Sequence, residues 1–134
     1  MTDDLAMGRA ERHVDPYAEG MRVRREILGD AHVQRAEATK SEFTADFQSL
    51  ITRYAWGEIW ARPGLDRRSR SLILLTTLIA RASWDELSVH VVAARGNGVS
   101  VDEIKELILQ CAVYTGVPTA HRALAEVRRA LEIP

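Results

Sequence analysis

Two groups of residues in this chain have the types and spacing for proton chemistry on a small anion. Glu86 and His90 stand four apart in a helical apolar pattern with Leu87, Val89, Val91 and Val92. Both side chains therefore project from one face and can share a proton or hold one ligand together. The second group runs from Arg53 to Arg70, where Tyr54, Trp56 and Trp60 are interleaved with Glu58, Arg62, Asp66, Arg67, Arg68 and Arg70. Aromatic walls exclude water and strengthen nearby charge interactions, and guanidinium forks grip planar carboxylates in bidentate fashion. Such a segment suits a small anion with an apolar body.

Each of these residues also has a purely structural reading. Glu86 is the N3 position of a capping box opened by Ser83, and His90 could be a satisfied core histidine. Glu58 could pair with Arg62 at i, i+4, or, set between Trp56 and Trp60, carry a raised pKa and transfer protons. Arg67 and Arg68 read as solvated surface charges. Arg70 is different: it follows Asp66 into the first turn of a helix, where the macrodipole disfavours a cation, so a carboxylate bound at that helix start would explain it better than local stability does. Arg53 is the other arginine placed to hold a carboxylate. His32 and His121 lie in polar surroundings and are weaker candidates.

Composition excludes several classes of function. Eighteen basic against nineteen acidic residues give a net charge of −1, which leaves no surplus field for a nucleic acid backbone. The longest apolar run, Ser71 to Ala82, is broken by Thr76, Thr77 and Arg81 and falls short of the roughly 20 residues a bilayer crossing needs. Met1 to Gly20 is polar with no apolar h-region, so a cytoplasmic protein is expected. Cys111, flanked by Leu107, Ile108, Ala112 and Val113, has no partner for an intrachain disulfide and reads as a buried thiol in a reducing compartment. No glycine loop is suited to cradling phosphates, and no metal site is expected.

The elements that must position these residues are helices, because the 3.6-residue period recurs along the chain and strand alternation does not. The expected class is all-α. Phe43, Phe47, Leu50, Ile51 and Tyr54 form one apolar stripe, expected to be the first core helix and stopped by Pro63-Gly64. Asp66 caps a second helix through Leu72, Ile73, Leu75, Leu78 and Ile79, apolar around much of its circumference and so central. Ser83 opens a third that ends at Gly96-Asn97-Gly98, and the Ser100/Glu103 box opens a fourth that stops at Gly116. The third and fourth are expected to form an antiparallel hairpin around the glycine turn. Pro118 suits the first turn of a last helix ending near Leu131, and a shorter helix covers Gly20 to Leu28. Residues 1–15 are expected to be a flexible segment and 16–134 the single domain. The helices carry more apolar faces than one domain of this size can bury, so a homo-oligomer is expected.

Five blocks, Arg25-Glu26-Ile27-Leu28-Gly29-Asp30-Ala31-His32-Val33, Phe47 through Trp60, Arg62-Pro63-Gly64-Leu65, Glu86-Leu87-Ser88-Val89-His90 and Asn97-Gly98-Val99, resemble the carboxymuconolactone decarboxylase family. The tryptophan-rich block is specific to that group. The Glu86/His90 helix is shared with the wider alkyl hydroperoxidase D-like superfamily. The resemblance implies an all-helical bundle assembled as a homo-oligomeric ring, commonly a hexamer, with sites between subunits. It also implies a cofactor-free reaction, conversion of 4-carboxymuconolactone to the 4-oxoadipate enol-lactone in the protocatechuate branch of the β-ketoadipate pathway. In that chemistry His90 would be the proton donor and Glu86 or Glu58 would orient it. Arg53 or Arg70 would hold the acetate carboxylate, while Trp56 and Trp60 keep water from the leaving group and His32 completes the substrate site. Val92 and Gly96 stand where family members often carry arginine and asparagine, which leaves open a related lactone or keto acid as substrate, or a binding role without catalysis. Thiol peroxidase chemistry, as in the hydroperoxidase D-like relatives, would need a Cys-x-x-Cys pair before the histidine. Ser83 and its neighbours and Glu86 occupy those positions.

Overall fold

The computed structural model describes residues 15–134, so the expectation of a flexible N-terminal segment lies outside the described residues except for Asp15. Among the described residues every regular element is helical. The elements are α1 (Pro16–Leu28), α2 (Asp30–Ala38), α3 (Glu42–Ile51), a π-helical continuation of α3 (Thr52–Trp60), α4 (Arg67–Ala80), α5 (Trp84–Gly96), α6 (Val101–Thr115) and α7 (Val117–Ala130).

Capping residues account for most of the boundaries. The Asp66 carboxylate accepts from the Ser69 amide at 2.6 Å and opens α4, and Ser100 and Glu103 cap each other's backbone at the start of α6. Gly98 takes a positive φ of 93° in the turn after α5. Two expectations about helix starts fail. α1 begins at Pro16, four residues earlier than expected, because Asp15 accepts from the Tyr17 amide and Pro16 suits the first turn. The Ser83 box does not form: Ser83 makes no side-chain cap, and the solvent-facing Glu86 carboxylate lies 3.5 Å from His90 Nε2 instead.

The helices make two apolar clusters. The larger contains Leu75, Leu78, Ile79, Leu87, Val91, Ile104, Ile108 and Val127 and is built by α4, α5, α6 and α7. α4 and α7 each touch the other three, and α4 keeps Ile73 and Thr77 exposed, so its apolar pattern is not enclosed all round as expected. α5 lies mainly against α4 and α7, and α6 against α7 and α4, so the turn-linked α5 and α6 pack on shared neighbours more than on each other. The smaller cluster joins Val23 and Ile27 of α1, Trp56 of the π segment and Ala93 of α5.

The stripe of α3 is apolar but is not core in this chain. Phe43 is 96 % exposed, and Phe47, Leu50 and Tyr54 are also exposed. Periodicity marks a face as apolar without saying which surface covers it. The π-helical continuation after Ile51 packs tightly on α1. α1 and the π segment approach so closely that a Cβ on Gly20 would lie 2.0 Å from the Thr52 carbonyl oxygen, and one on Gly57 would lie 2.4 Å from that of Pro16. Thr52 and Trp56, four residues apart in this segment, are both buried.

Candidate active site

α5, the π segment and α2 converge on His90. Its imidazole is 12 % exposed, and its Nε2 is 3.5 Å from a carboxylate oxygen of Glu86, which is itself 67 % exposed. The Trp56 ring lies nearly parallel to the imidazole, with centroids 6.3 Å apart, and Trp60 stacks on Trp56 at 5.4 Å. His32, half-buried on α2, is close enough for its charge to oppose protonation of His90. Five of the sequence-derived candidates, His90, Glu86, Trp56, Trp60 and His32, thus share one locality.

Burial dominates the electrostatics of His90. It pushes the imidazole below its ordinary pKa of 6.5; the Glu86 carboxylate pulls the other way without overcoming it, and His32 adds to the lowering. The expectation that Glu86 would hold His90 protonated near neutral pH is therefore corrected. Glu86 is two-thirds in water, where its field is screened, and in the ligand-free chain His90 is neutral at pH 7.

The arginines separate clearly. Arg53 is exposed, and its Nε donates to the Ser49 carbonyl of its own helix at 3.3 Å. Arg67 pairs with Glu26 of α1 at 2.6 Å, and Arg68 pairs with Glu103 of α6. Both tie α4 to its neighbours. Arg70 is half-buried; its Nη2 donates to the Arg62 carbonyl at 3.2 Å, and its buried Nε has no partner among the described residues. It lies where the chain folds back after Trp60, with a donor to spare. Glu58 is exposed and makes no ion pair with Arg62, which lies beyond the end of the π segment. No contact in the described residues joins Glu58 to His90. His121 is exposed on α7, away from this group.

One residue escaped sequence reasoning. Arg24 of α1 is 6 % exposed, with Nη1 3.4 Å from the Thr52 hydroxyl and Nη2 3.3 Å from the Gln48 amide oxygen. It makes no ion pair among the described residues, and its buried Nε has no acceptor. The available signal was a charge on the same face as Gly20, Val23 and Ile27.

Comparison with known proteins identifies the family of the chain. The profile described as the carboxymuconolactone decarboxylase family matches residues 45–129, which include the π segment, Arg70, Glu86 and His90. A 4-carboxymuconolactone decarboxylase of Acinetobacter baylyi is 47 % identical over 108 residues, 81 % of either chain. A nitrosuccinic acid decarboxylase of Metarhizium robertsii is 40 % identical over 121 residues, 90 % of this chain and 85 % of its own. A 4-carboxymuconolactone decarboxylase sequence from Pseudomonas putida is 50 % identical over 42 residues, 31 % of this chain and 88 % of that one.

Proposed function

The chain belongs to the carboxymuconolactone decarboxylase family, and from that membership we propose that it decarboxylates 4-carboxymuconolactone to the 4-oxoadipate enol-lactone. The observation that carries the proposal is a buried His90 stacked on Trp56 and reached by a solvent-facing Glu86. That arrangement suits a reaction that takes up one proton at carbon.

The substrate is a butenolide with a carboxylate on its γ carbon and an acetate arm. When the γ-carboxylate leaves as carbon dioxide, its bonding electron pair passes through the C=C into the lactone carbonyl and forms a dienolate. The substrate is its own electron sink. One proton delivered to the α carbon completes the enol-lactone, so the dianion consumes one proton and yields a monoanion and carbon dioxide. Trp56 and Trp60 form the dry wall for the leaving carboxylate. Binding of the dianion raises the proton affinity of His90 from its lowered resting value, His90 takes up a proton from water with the Glu86 charge favouring the imidazolium, and the imidazolium protonates the α carbon. Arg70 offers its free Nε to an anionic oxygen of the substrate. Arg53 and Glu58 have no place in this scheme, since one bonds its own helix and the other lies in water.

The Metarhizium relative is named for nitrosuccinic acid, a dicarboxylic acid whose nitro group can likewise accept the electron pair. That supports a common substrate class: an acid with a built-in electron sink and a second carboxylate that is kept. Thiol peroxidase chemistry has nothing in its favour here, because Cys111 is buried on α6 and burial raises its pKa.

The reading includes a homo-oligomeric ring, commonly a hexamer in this family. Its support is the exposed apolar surface of Phe43, Phe47 and Tyr54 on one side of the chain and of Leu109, Val113 and Tyr114 on another. Incubating the purified protein with 4-carboxymuconolactone and measuring carbon dioxide tests the function. Stoichiometric release supports it, and tight lactone binding without release would make the chain a binding protein instead.

A further inference from the structure

Arg24 is the one buried side chain with a permanent charge and no opposite charge beside it among the described residues. Its two hydrogen bonds go to neutral oxygens at 3.3–3.4 Å, near the long limit for such contacts. A guanidinium carries five N–H donors and does not deprotonate, so it cannot escape burial by becoming neutral. Burying a lone cation is costly, and a bound anion would offset that cost. The Lys40–Glu37 pair at 2.9 Å lies near enough for Lys40 to feel the Arg24 charge, but Glu37 is taken by Lys40 and makes no ion pair with Arg24 among the described residues.

The position connects this cation to the site already described. Arg24 meets Thr52, and Thr52 and Trp56 are the two buried residues of the π segment, one turn or roughly 5–6 Å apart. Val23, next to Arg24, packs in one cluster with Trp56 and Ala93. Arg24 thus contacts the segment that carries Trp56, one helical turn from the ring that His90 faces. We propose that Arg24 is the receptor for the carboxylate the substrate keeps, the acetate arm in 4-carboxymuconolactone. This rests on the decarboxylase reading above and adds to it a division of labour: Arg24 anchors the retained carboxylate, and Arg70 is left for the developing dienolate oxygen.

The test compares Arg24→Met and Arg24→Lys with wild type on three readouts. The first is kcat/KM for 4-carboxymuconolactone and for its acetate-arm methyl ester. Wild type should prefer the acid by roughly ten- to a hundredfold, the scale of a charged hydrogen bond, and Arg24→Met should lose that preference by slowing on the acid alone. The second is the melting temperature without ligand. Arg24→Met should be as stable as wild type or more so, because an unpaired buried charge has been removed. Arg24→Lys keeps the charge without the fork, so it should retain part of the acid preference. The third is binding of succinate, a probe that does not depend on turnover, which should weaken at least tenfold in Arg24→Met even if the lactone proves not to be the substrate. Equal slowing on acid and ester, unchanged succinate binding, or a destabilised or dissociated ligand-free Arg24→Met protein would each overturn the assignment, the last by showing that Arg24 already has an anionic partner.

Discussion

Replacing Glu86 with Gln isolates the electrostatic part of the site. It removes one negative charge 3.5 Å from His90 Nε2 and disturbs no helix cap, since Ser83 makes none. Two unit charges about 4 Å apart interact by about 1 kcal/mol in water and about 4 kcal/mol at the effective dielectric of a protein surface. Glu86 is 67 % exposed, so the lower part of that range applies, about 1–2 kcal/mol. A carboxylate favours the imidazolium, so its loss lowers the His90 pKa further beneath the ordinary imidazole value from which burial has already depressed it. In the proposed scheme protonated His90 is the active form, so kcat/KM should fall as pH rises through the His90 transition. Glu86→Gln should therefore move that descending limb to lower pH and, at a pH on the limb, reduce kcat/KM by roughly five- to thirtyfold. The assay is initial carbon dioxide release at substrate far below KM across about pH 5 to 8. A limb that stays in place, or moves to higher pH, would refute the pairing of Glu86 with a protonated His90.

His90→Gln should lower kcat by roughly 10²–10⁴ while leaving the assembly mass unchanged, as steady-state kinetics and light scattering would show. Arg70→Met should reduce kcat/KM by about 1.5–3 kcal/mol in transition-state terms, on acid and ester alike, whereas Arg53→Met should leave it within a factor of about two. Equal losses in both arginine variants would contradict the exposure of Arg53 and its bond to Ser49. Because burial disfavours protonated His90, the unfolded chain binds this proton first as pH falls below 6.5, so folding stability drops there; denaturant titrations should show a shallower acid-side loss in His90→Gln. Phe47→Glu, on the exposed stripe of α3, should shift the light-scattering mass toward the 15.0 kDa monomer, and a wild-type protein already at that mass would remove the oligomer reading.

Much of this fold was legible because its signals are local. Asp66, the Ser100/Glu103 pair, Gly116 and Pro118 set helix ends through contacts within four residues, and those boundaries appear where the sequence puts them. What was missed depends on distant partners. The close packing of the π segment on α1 needs Gly20 and Gly57 to meet backbone more than thirty residues away in sequence, which no local period records. α2 has a single fully buried residue, Val33, so it lacks the apolar rhythm that marks a helix. The outward turn of Phe43 and Phe47 is invisible to periodicity for the reason that periodicity has no direction. Within the site, spacing found Glu86 and His90 because one helix presents both, and the aromatic block identified Trp56 and Trp60. Arg53 and Glu58, read as candidates from their place in the aromatic block, are exposed in the chain, and the buried Arg24 was overlooked because a charge inside an apolar stripe reads as an interruption of it.

The central claim is that His90 delivers one proton to the α carbon of a substrate that has just lost carbon dioxide. Turnover of 4-carboxymuconolactone in D2O, followed by NMR of the product, tests it most directly. Wild type should release one carbon dioxide per lactone and place one deuteron on a single face of the α carbon, and residual product from His90→Gln should carry label on both faces. Label on both faces from the wild-type enzyme, or single-face labelling at undiminished rate by His90→Gln, would contradict the account.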